Sequence, residues 1–252
     1  MNLFLEIMFF VLGLMVGSFI NMAIWRLGHN KSFFKRSRSF CDFCKKKLRW
    51  YDNIPILSWM VYGGKSRCCH KKLPLAYPIV ELLTGIVFLL NYLYLPLGFE
   101  SIIVFIILGL LIFEAAFDFR YMMLPDSTAY SLIVLAFVRW LMLGMPREYL
   151  LSSLISGIFI YILHKIKIKG HEAMGDGDIL VAIFMGIFLG FPSIVVAFYV
   201  AFIVGAIVGV VLIYGKKIGR LTPIPFGPFL ILGTLLSYWW GEKIIKTLIN
   251  FL

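Results

Sequence analysis

Eight stretches of this chain are predominantly apolar: residues 4–24, 77–95, 101–118, 127–145, 148–165, 179–191, 193–214 and 228–248. A helix needs about 20 such residues to cross hydrocarbon, so the pattern predicts an all-α polytopic membrane protein of about eight transmembrane helices. The stretch at 179–191 falls short of that length, which predicts a tilted or broken helix closed by a tight hairpin at Phe191-Pro192-Ser193. With 61% hydrophobic and 15% charged residues and a mean hydropathy of +0.93, the chain is too apolar for a soluble domain.

A net charge of +11 would suggest nucleic acid as the partner of a soluble protein, but here the placement of the charge makes that the weaker explanation, and no nucleic-acid partner is expected. Of the 24 Lys and Arg residues, 13 lie between Arg26 and Lys72, and seven more are Arg120, Lys165, Lys167, Lys169, Lys216, Lys217 and Arg220. The positive-inside rule makes those loops cytoplasmic. Threading eight spans through them puts both chain ends outside and brings Asp118 and Asp178 to the same, cytoplasmic face. The first apolar run has no basic segment before it and reads as a retained first span. The expected organisation is a first helix at 1–25, a small basic zinc-binding-like loop subdomain at 26–76 and a multi-helix membrane domain at 77–252. No internal repeat is evident.

All four cysteines, Cys41, Cys44, Cys68 and Cys69, fall in the basic loop. In a reducing cytosol a metal is expected in preference to a disulfide. The two-residue spacing of Cys41 and Cys44 lets both sulfurs reach one zinc, and Lys45, Lys46 and Lys47 favour the thiolate. Cys68 and Cys69 are adjacent and fit one tetrahedron less easily, so His70 or an outside ligand is an alternative; the bland reading is four free or buried thiols. A loop this small has little core, so a metal would supply much of its order. Trp50, Tyr51, Ile54, Ile56, Leu57 and Trp59 around Asn53-Ile54-Pro55 suit docking at the membrane interface.

Asp118 and Asp178 stand at the edges of apolar stretches, where lipid penalises a carboxylate by roughly 2.5–3.5 kcal/mol at mid-helix and by less near the interface. Gly175 and Gly177 precede Asp178 and predict a tight turn at a helix start. Two such carboxylates brought together can share one proton and activate a water, which is aspartyl protease chemistry. Glu114 lies four residues before Asp118, on the same helix face; it and Glu81 either support the site or pair within their helices. Asp126, after Leu124-Pro125, is placed as a helix N-cap, and Asp176 as a solvated residue. No His-Glu-x-x-His pair and no serine nucleophile elbow is present, which disfavours metal and serine hydrolases. A proton-coupled transporter or channel is the rival reading, but it would scatter carboxylates through the membrane depth instead of gathering them on one face.

Six ordered stretches carry a resemblance to a known family: Gly17-Ser18-Phe19-Ile20-Asn21 with Arg26-Leu27; Arg49 through Trp59; Tyr77-Pro78-Ile79-Val80-Glu81-Leu82-Leu83-Thr84-Gly85; Asp118 with Leu124-Pro125-Asp126; Gly175-Asp176-Gly177-Asp178; and Ile224-Pro225-Phe226-Gly227-Pro228. In these the chain resembles the type 4 prepilin peptidases, membrane aspartyl proteases of the bacterial inner membrane that in many members are also N-methyltransferases. The resemblance implies that Asp118 and Asp178 are the catalytic pair. It implies that prepilin or pseudopilin precursors are cut after a Gly at the end of a short basic leader, at the cytoplasmic membrane face. The new N-terminal residue would then be methylated from S-adenosylmethionine. Two departures stand out: Ser66 occupies the third cysteine position of the family loop, with Cys68 beside Cys69, and Leu180 stands where the family often has a Lys. The basic loop would repel a basic leader, so Glu81, Glu114, Glu172 or Asp176 is expected to receive its charge.

Overall fold

The computed structural model describes residues 2–29, 31, 40, 41, 43–168, 171, 172, 174–215 and 223–251. Lys35, Arg36, Arg38, Lys169, Lys216, Lys217 and Arg220, which helped to orient the spans, lie outside the described residues, as does the side chain of Glu172. Two compact units divide the chain, residues 1–113 and 114–252.

The first unit contains α1 (Leu3–Gly28), a 3-10 turn at Trp50–Asn53, α2 (Leu57–Val61), α3 (Ala76–Tyr94) and the first part of α4 (Phe99–Tyr121). Asn2 caps α1, its side chain accepting from the Phe4 N–H at 3.2 Å. The α1–α3 pair is built on small residues. A Cβ on Gly13 would fall 2.8 Å from the Gly85 Cα, and one on Gly17 would fall 2.6 Å from the Glu81 Cα. With no hydrophobic force between helices in lipid, such close backbone approach supplies the packing energy. Phe9 of α1 stacks between Tyr92 and Phe105, at centroid distances of 4.8 and 5.0 Å.

The second unit contains the end of α4, then α5 (Asp126–Leu143), α6 (Glu148–Lys165), a two-residue antiparallel pair β1 (Lys167–Ile168) and β2 (His171–Glu172), α7 (Asp176–Leu189), α8 (Ser193–Tyr214) and α9 (Gly227–Phe251). α7 packs against α5, α6, α8 and α9 and is buried almost all round, from Asp178 through Leu189. Ser152, Ser153, Ser156 and Gly157 form the small-residue face that α6 turns to it, and the Ser156 hydroxyl donates to the Ala182 carbonyl at 2.7 Å. Arg139, a charge inside a predicted span, is buried in α5 with its guanidinium 5.3 Å from the Phe188 ring centroid and 3.5 Å from the Phe188 carbonyl.

A helix therefore forms on each of the eight apolar stretches. Among the described residues five of them, α1, α3, α4, α5 and α8, are long and apolar enough to cross a membrane. α7 is the short one, with 14 residues, and the hairpin after it turns through Gly190 at a φ of 67°.

Candidate active site

α7 begins at Asp176, and Asp178 is its third residue. The Asp178 carboxylate reaches back to accept the Gly175 N–H at 3.0 Å, satisfying one of the donors that every helix start leaves free. Neither Gly175 nor Gly177 has a positive φ, so the turn does not require them. Gly177 is needed for a different reason: a Cβ there would lie 2.6 Å from the Cβ of Leu124.

Asp118 is buried near the end of α4, with its Oδ2 accepting the Gly227 N–H at 3.0 Å. That N–H is free because Gly227 opens α9. A Cβ on Gly227 would meet Asp118 Oδ2 at 2.7 Å and Leu124 Cδ2 at 3.2 Å. Leu124 thus wedges against both glycine backbones, one in the local structure of each aspartate. Each is held by a backbone N–H at a helix start, which leaves its second oxygen for other work.

Glu114 is fully buried one turn before Asp118 and hydrogen bonds with the Thr128 hydroxyl. Thr128 also lies 2.9 Å from the Pro125 carbonyl, and the second Glu114 oxygen has no hydrogen-bond partner among the described residues. Asp126 corrects an expectation. It is the first residue inside α5 and exposed, while Pro125 occupies the cap position and contributes no side-chain bond. An acid in the first turn still complements the helix dipole. Asp176 is solvated as expected, with its side chain 88% exposed and 3.4 Å from Nε2 of the buried His164. The other ring nitrogen of His164 lies 2.8 Å from the Met174 carbonyl, which ties α6 to the segment leading into α7.

In the first unit, Glu81 of α3 accepts the Ile56 N–H at 2.8 Å, so it fastens the aromatic turn to that helix.

The four cysteine sulfurs lie within 4.8 Å of one another. Two backbone loops with the same hydrogen bonds bring them there. Cys41 N–H bonds Lys46 O and Lys45 N–H bonds Cys41 O; Ser66 N–H bonds Lys71 O and His70 N–H bonds Ser66 O, each at 2.8–2.9 Å. The bridges Phe40 to Lys47 and Lys65 to Lys72 complete the match, and Lys45 and His70 share a positive φ of 58° and 55°. A short backbone repeat is therefore present where the sequence showed none. In this register Cys41 corresponds to Ser66, Cys44 to Cys69, and Cys68 to Phe43. Adjacent sulfurs reach one centre after all, and His70 closes its loop without joining the cluster.

Cys41 and Cys69 sulfurs are 3.7 Å apart and those of Cys44 and Cys68 3.1 Å apart, with the Ser66 hydroxyl 3.2 Å from Cys41 and 3.1 Å from Cys68. A tetrahedral ion with metal–sulfur bonds near 2.3 Å needs sulfurs about 3.8 Å apart, so the cluster fits a metal ion. Burial raises the Cys41 thiol, but the backbone N–H groups of Cys44 and Phe43 and the Ser66 hydroxyl outweigh it and bring it down to about 6. The Ser66 hydroxyl favours the Cys68 thiolate, but the neighbouring Cys44 and burial push that thiol up to about 11. Clustered thiolates oppose one another's ionisation until a cation neutralises them. Beside the cluster, Arg67 forks onto the buried Asp52 carboxylate at 2.7 and 3.1 Å.

Signals for some of these roles were available in the sequence and others were not. Gly227 and Leu124 stood in quoted motifs without a role, and Thr128 and His164 carried no signal of their own.

Two family profiles match the chain. Residues 11–95 match the bacterial peptidase A24 N-terminal domain, and residues 103–210 match the type IV leader peptidase family. A Vibrio cholerae protein named prepilin leader peptidase/N-methyltransferase is 33% identical, over 73% of this chain and 77% of its own. An Escherichia coli protein named type 4 prepilin-like proteins leader peptide-processing enzyme is 30% identical, over 90% of this chain and 91% of its own. A Xanthomonas campestris protein with the first of these names is 28% identical, over 95% and 93%. No solved structure matches the chain.

Proposed function

The chain belongs to the type IV leader peptidase family, and from that premise we propose that it is a membrane aspartyl endopeptidase whose catalytic pair is Asp118 and Asp178. Its substrates are type 4 prepilin or pseudopilin precursors, cut at the cytoplasmic face of the bacterial inner membrane. The observation that carries this reading is that two buried carboxylates, from α4 and α7, are each held by a glycine N–H, at helix starts that both pack against Leu124.

Like charges oppose double ionisation, so the pair shares one proton. The ionised aspartate takes a proton from water as its oxygen attacks the scissile carbonyl carbon. The protonated one hydrogen bonds the carbonyl oxygen as charge develops there. Collapse of the tetrahedral species passes a proton to the leaving amine. Glu114 and Thr128 brace the α4 and α5 segments that present Asp118, and exposed Asp176 meets the basic leader.

The cysteine cluster holds a structural zinc through Cys41, Cys44, Cys68 and Cys69, which orders the 26–76 loop subdomain. The new N-terminus is methylated, in keeping with relatives named N-methyltransferase, with S-adenosylmethionine as the donor that the resemblance implies.

The test is the purified chain in detergent with a pilin precursor. Asp118→Asn and Asp178→Asn should each abolish the leader-length mass loss, by roughly 10²–10⁴-fold in rate for an acid–base group. Cleavage persisting in either variant would refute the pair.

A further inference from the structure

No charged side chain occurs from Asn53 to Gly64, and basic residues flank the segment, Arg49 before it and Lys65 and Arg67 after it. An apolar run of roughly 10–14 residues is too short to span hydrocarbon and suits either a buried helix or a re-entrant segment. Burial is excluded here. Leu57, Met60 and Val61 of α2 are 59%, 63% and 76% exposed, and Trp50 before them is 79% exposed.

The depth of this apolar face follows from what holds it. On α1 the apolar run ends at Arg26, the first charge after Glu6. The α3 helix starts on the membrane side of that charge: the Asn21 amide donates to the Tyr77 carbonyl at 3.0 Å, and the Glu81 Cα packs against Gly17. At 1.5 Å per residue, Gly17 lies about 14 Å along α1 from Arg26. Glu81 accepts the Ile56 N–H at 2.8 Å. Its side chain leans a few ångströms back toward the start of α3, which still leaves the turn before α2 on the membrane side of Arg26. Independently, Pro55, Ser58 and Trp59 line one cavity together with Met15 and Phe19 of the α1 apolar run.

Backbone at such a depth has to find its hydrogen bonds inside the protein. The N–H groups of Ser58, Met60, Tyr62 and Gly64 are bonded to the carbonyls of Ile54, Ile56, Ser58 and Trp59 at 2.8–3.1 Å, and that of Ile56, at the bend, goes to Glu81. At the same level α1 exposes Met15 and Phe19, and α3 exposes Ile79 and Leu83. The face of α2 thus stands at a height where its neighbours already present apolar side chains to lipid.

We propose that residues 54–64 form a re-entrant segment seated in one leaflet of the bilayer, with Leu57, Met60 and Val61 among the acyl chains. Trp50 lies at the interface beside Arg49, and Arg49, Lys65 and Lys72 meet anionic phospholipid headgroups. The segment enters and leaves by the same face, since basic residues bound it on both sides. The loop subdomain that carries the cysteine cluster is thereby fastened to lipid as well as to α3, independently of any cleavage or methylation.

The test uses the full wild-type chain in vesicles of phosphatidylethanolamine and phosphatidylglycerol doped with a phospholipid that carries a photoactivatable diazirine on its acyl chain. Adducts are mapped by peptide mass after irradiation, with Met15 and Phe19 as the reference for lipid contact. Leu57, Met60 and Val61 should be labelled as strongly as the reference, and Lys45, Lys46 and Lys47 should stay unlabelled. A labelled reference with no adduct on residues 57–61 overturns the proposal. If residues 57–61 stay unlabelled and instead crosslink to an added pilin precursor, the face belongs to the substrate and the proposal falls as well. Val61→Asp sets a charge among the acyl chains and should strip the label from Leu57 and Met60 and speed hydrogen exchange in residues 54–64, while Phe19 keeps its label. Unchanged labelling of Leu57 and Met60 in that variant overturns insertion. Should the variant lose the Phe19 label too, it is misfolded and the wild-type map decides.

Discussion

The backbone N–H of Gly227 lies 3.0 Å from Oδ2 of Asp118, a residue 109 positions away. A methyl group at 227 would stand 2.7 Å from that oxygen and push the carboxylate off its anchor. Gly227→Ala is therefore expected to lower kcat/KM for leader cleavage by roughly a hundredfold, the usual effect of misplacing a reacting group by about 1 Å. Circular dichroism should show helix content unchanged.

Gly177→Ala is expected to act on the other aspartate. Its new methyl would be 2.6 Å from the Leu124 Cβ, so the start of α7 must shift and carry Asp178 with it. Gly175→Ala is the control, since a Cβ there makes only an ordinary 3.6 Å contact with Asp178 Oδ2. Cleavage kinetics should fall steeply for the first variant and little for the second.

The repeated loops of the cysteine cluster predict that thiols can be exchanged between positions. Cys68→Ala should lose bound zinc. Ser66→Cys combined with Cys68→Phe copies the pattern of Cys41-x-Phe43-Cys44 into the second loop and should restore it. Elemental analysis and the thiolate absorption of the cobalt-substituted protein measure the outcome. Chelation of the wild-type protein should loosen residues 40–72, read as faster hydrogen exchange.

Thr128 has one hydroxyl proton to share between Glu114 and the Pro125 carbonyl. An amide at 114 can fill the same place as either donor or acceptor, so Glu114→Gln should retain most cleavage and stability. Glu114→Ala leaves the hydroxyl only the Pro125 carbonyl and opens a void, and should destabilise the protein by about 1–3 kcal/mol in a denaturation titration.

Burial opposes ionisation of Asp52, but the Arg67 guanidinium, the Arg49 N–H and the charges of both arginines hold its carboxyl below the usual carboxylate range. A lowered folded-state value means that this stabilisation is complete above about pH 4, the ordinary Asp range, and is lost as pH falls through the folded value. Arg67, itself held higher by Asp52, stays charged throughout. The acid limb of the loop's unfolding, followed by tryptophan fluorescence, should flatten in Asp52→Asn.

The apolar runs made the helices legible, because no other fold absorbs so many uncharged residues, and a carboxylate within such a run marks itself by its cost. Asp118 and Asp178 were visible on those grounds. Their anchors were not: Gly227 is far away in sequence, and Leu124 is one apolar residue among many. Asp126 misled because Ser, Thr, Asp or Asn after a loop usually caps, and here Pro125 took the cap position and left the acid one residue inside. The repeat of the cysteine loops is set by backbone hydrogen bonds, and in the sequence it survives only as Cys44-x-Lys46-Lys47 against Cys69-x-Lys71-Lys72, too short a match to stand out.

The 14 residues of α7 extend only about 21 Å, against a hydrocarbon core of about 30 Å. Because α5, α6, α8 and α9 surround it, that shortfall falls inside the helix bundle and is not met by lipid. Asp178 sits in the first turn of α7, so the proposed hydrolysis would take place where a helix stops short of the membrane's full thickness, inside the bundle.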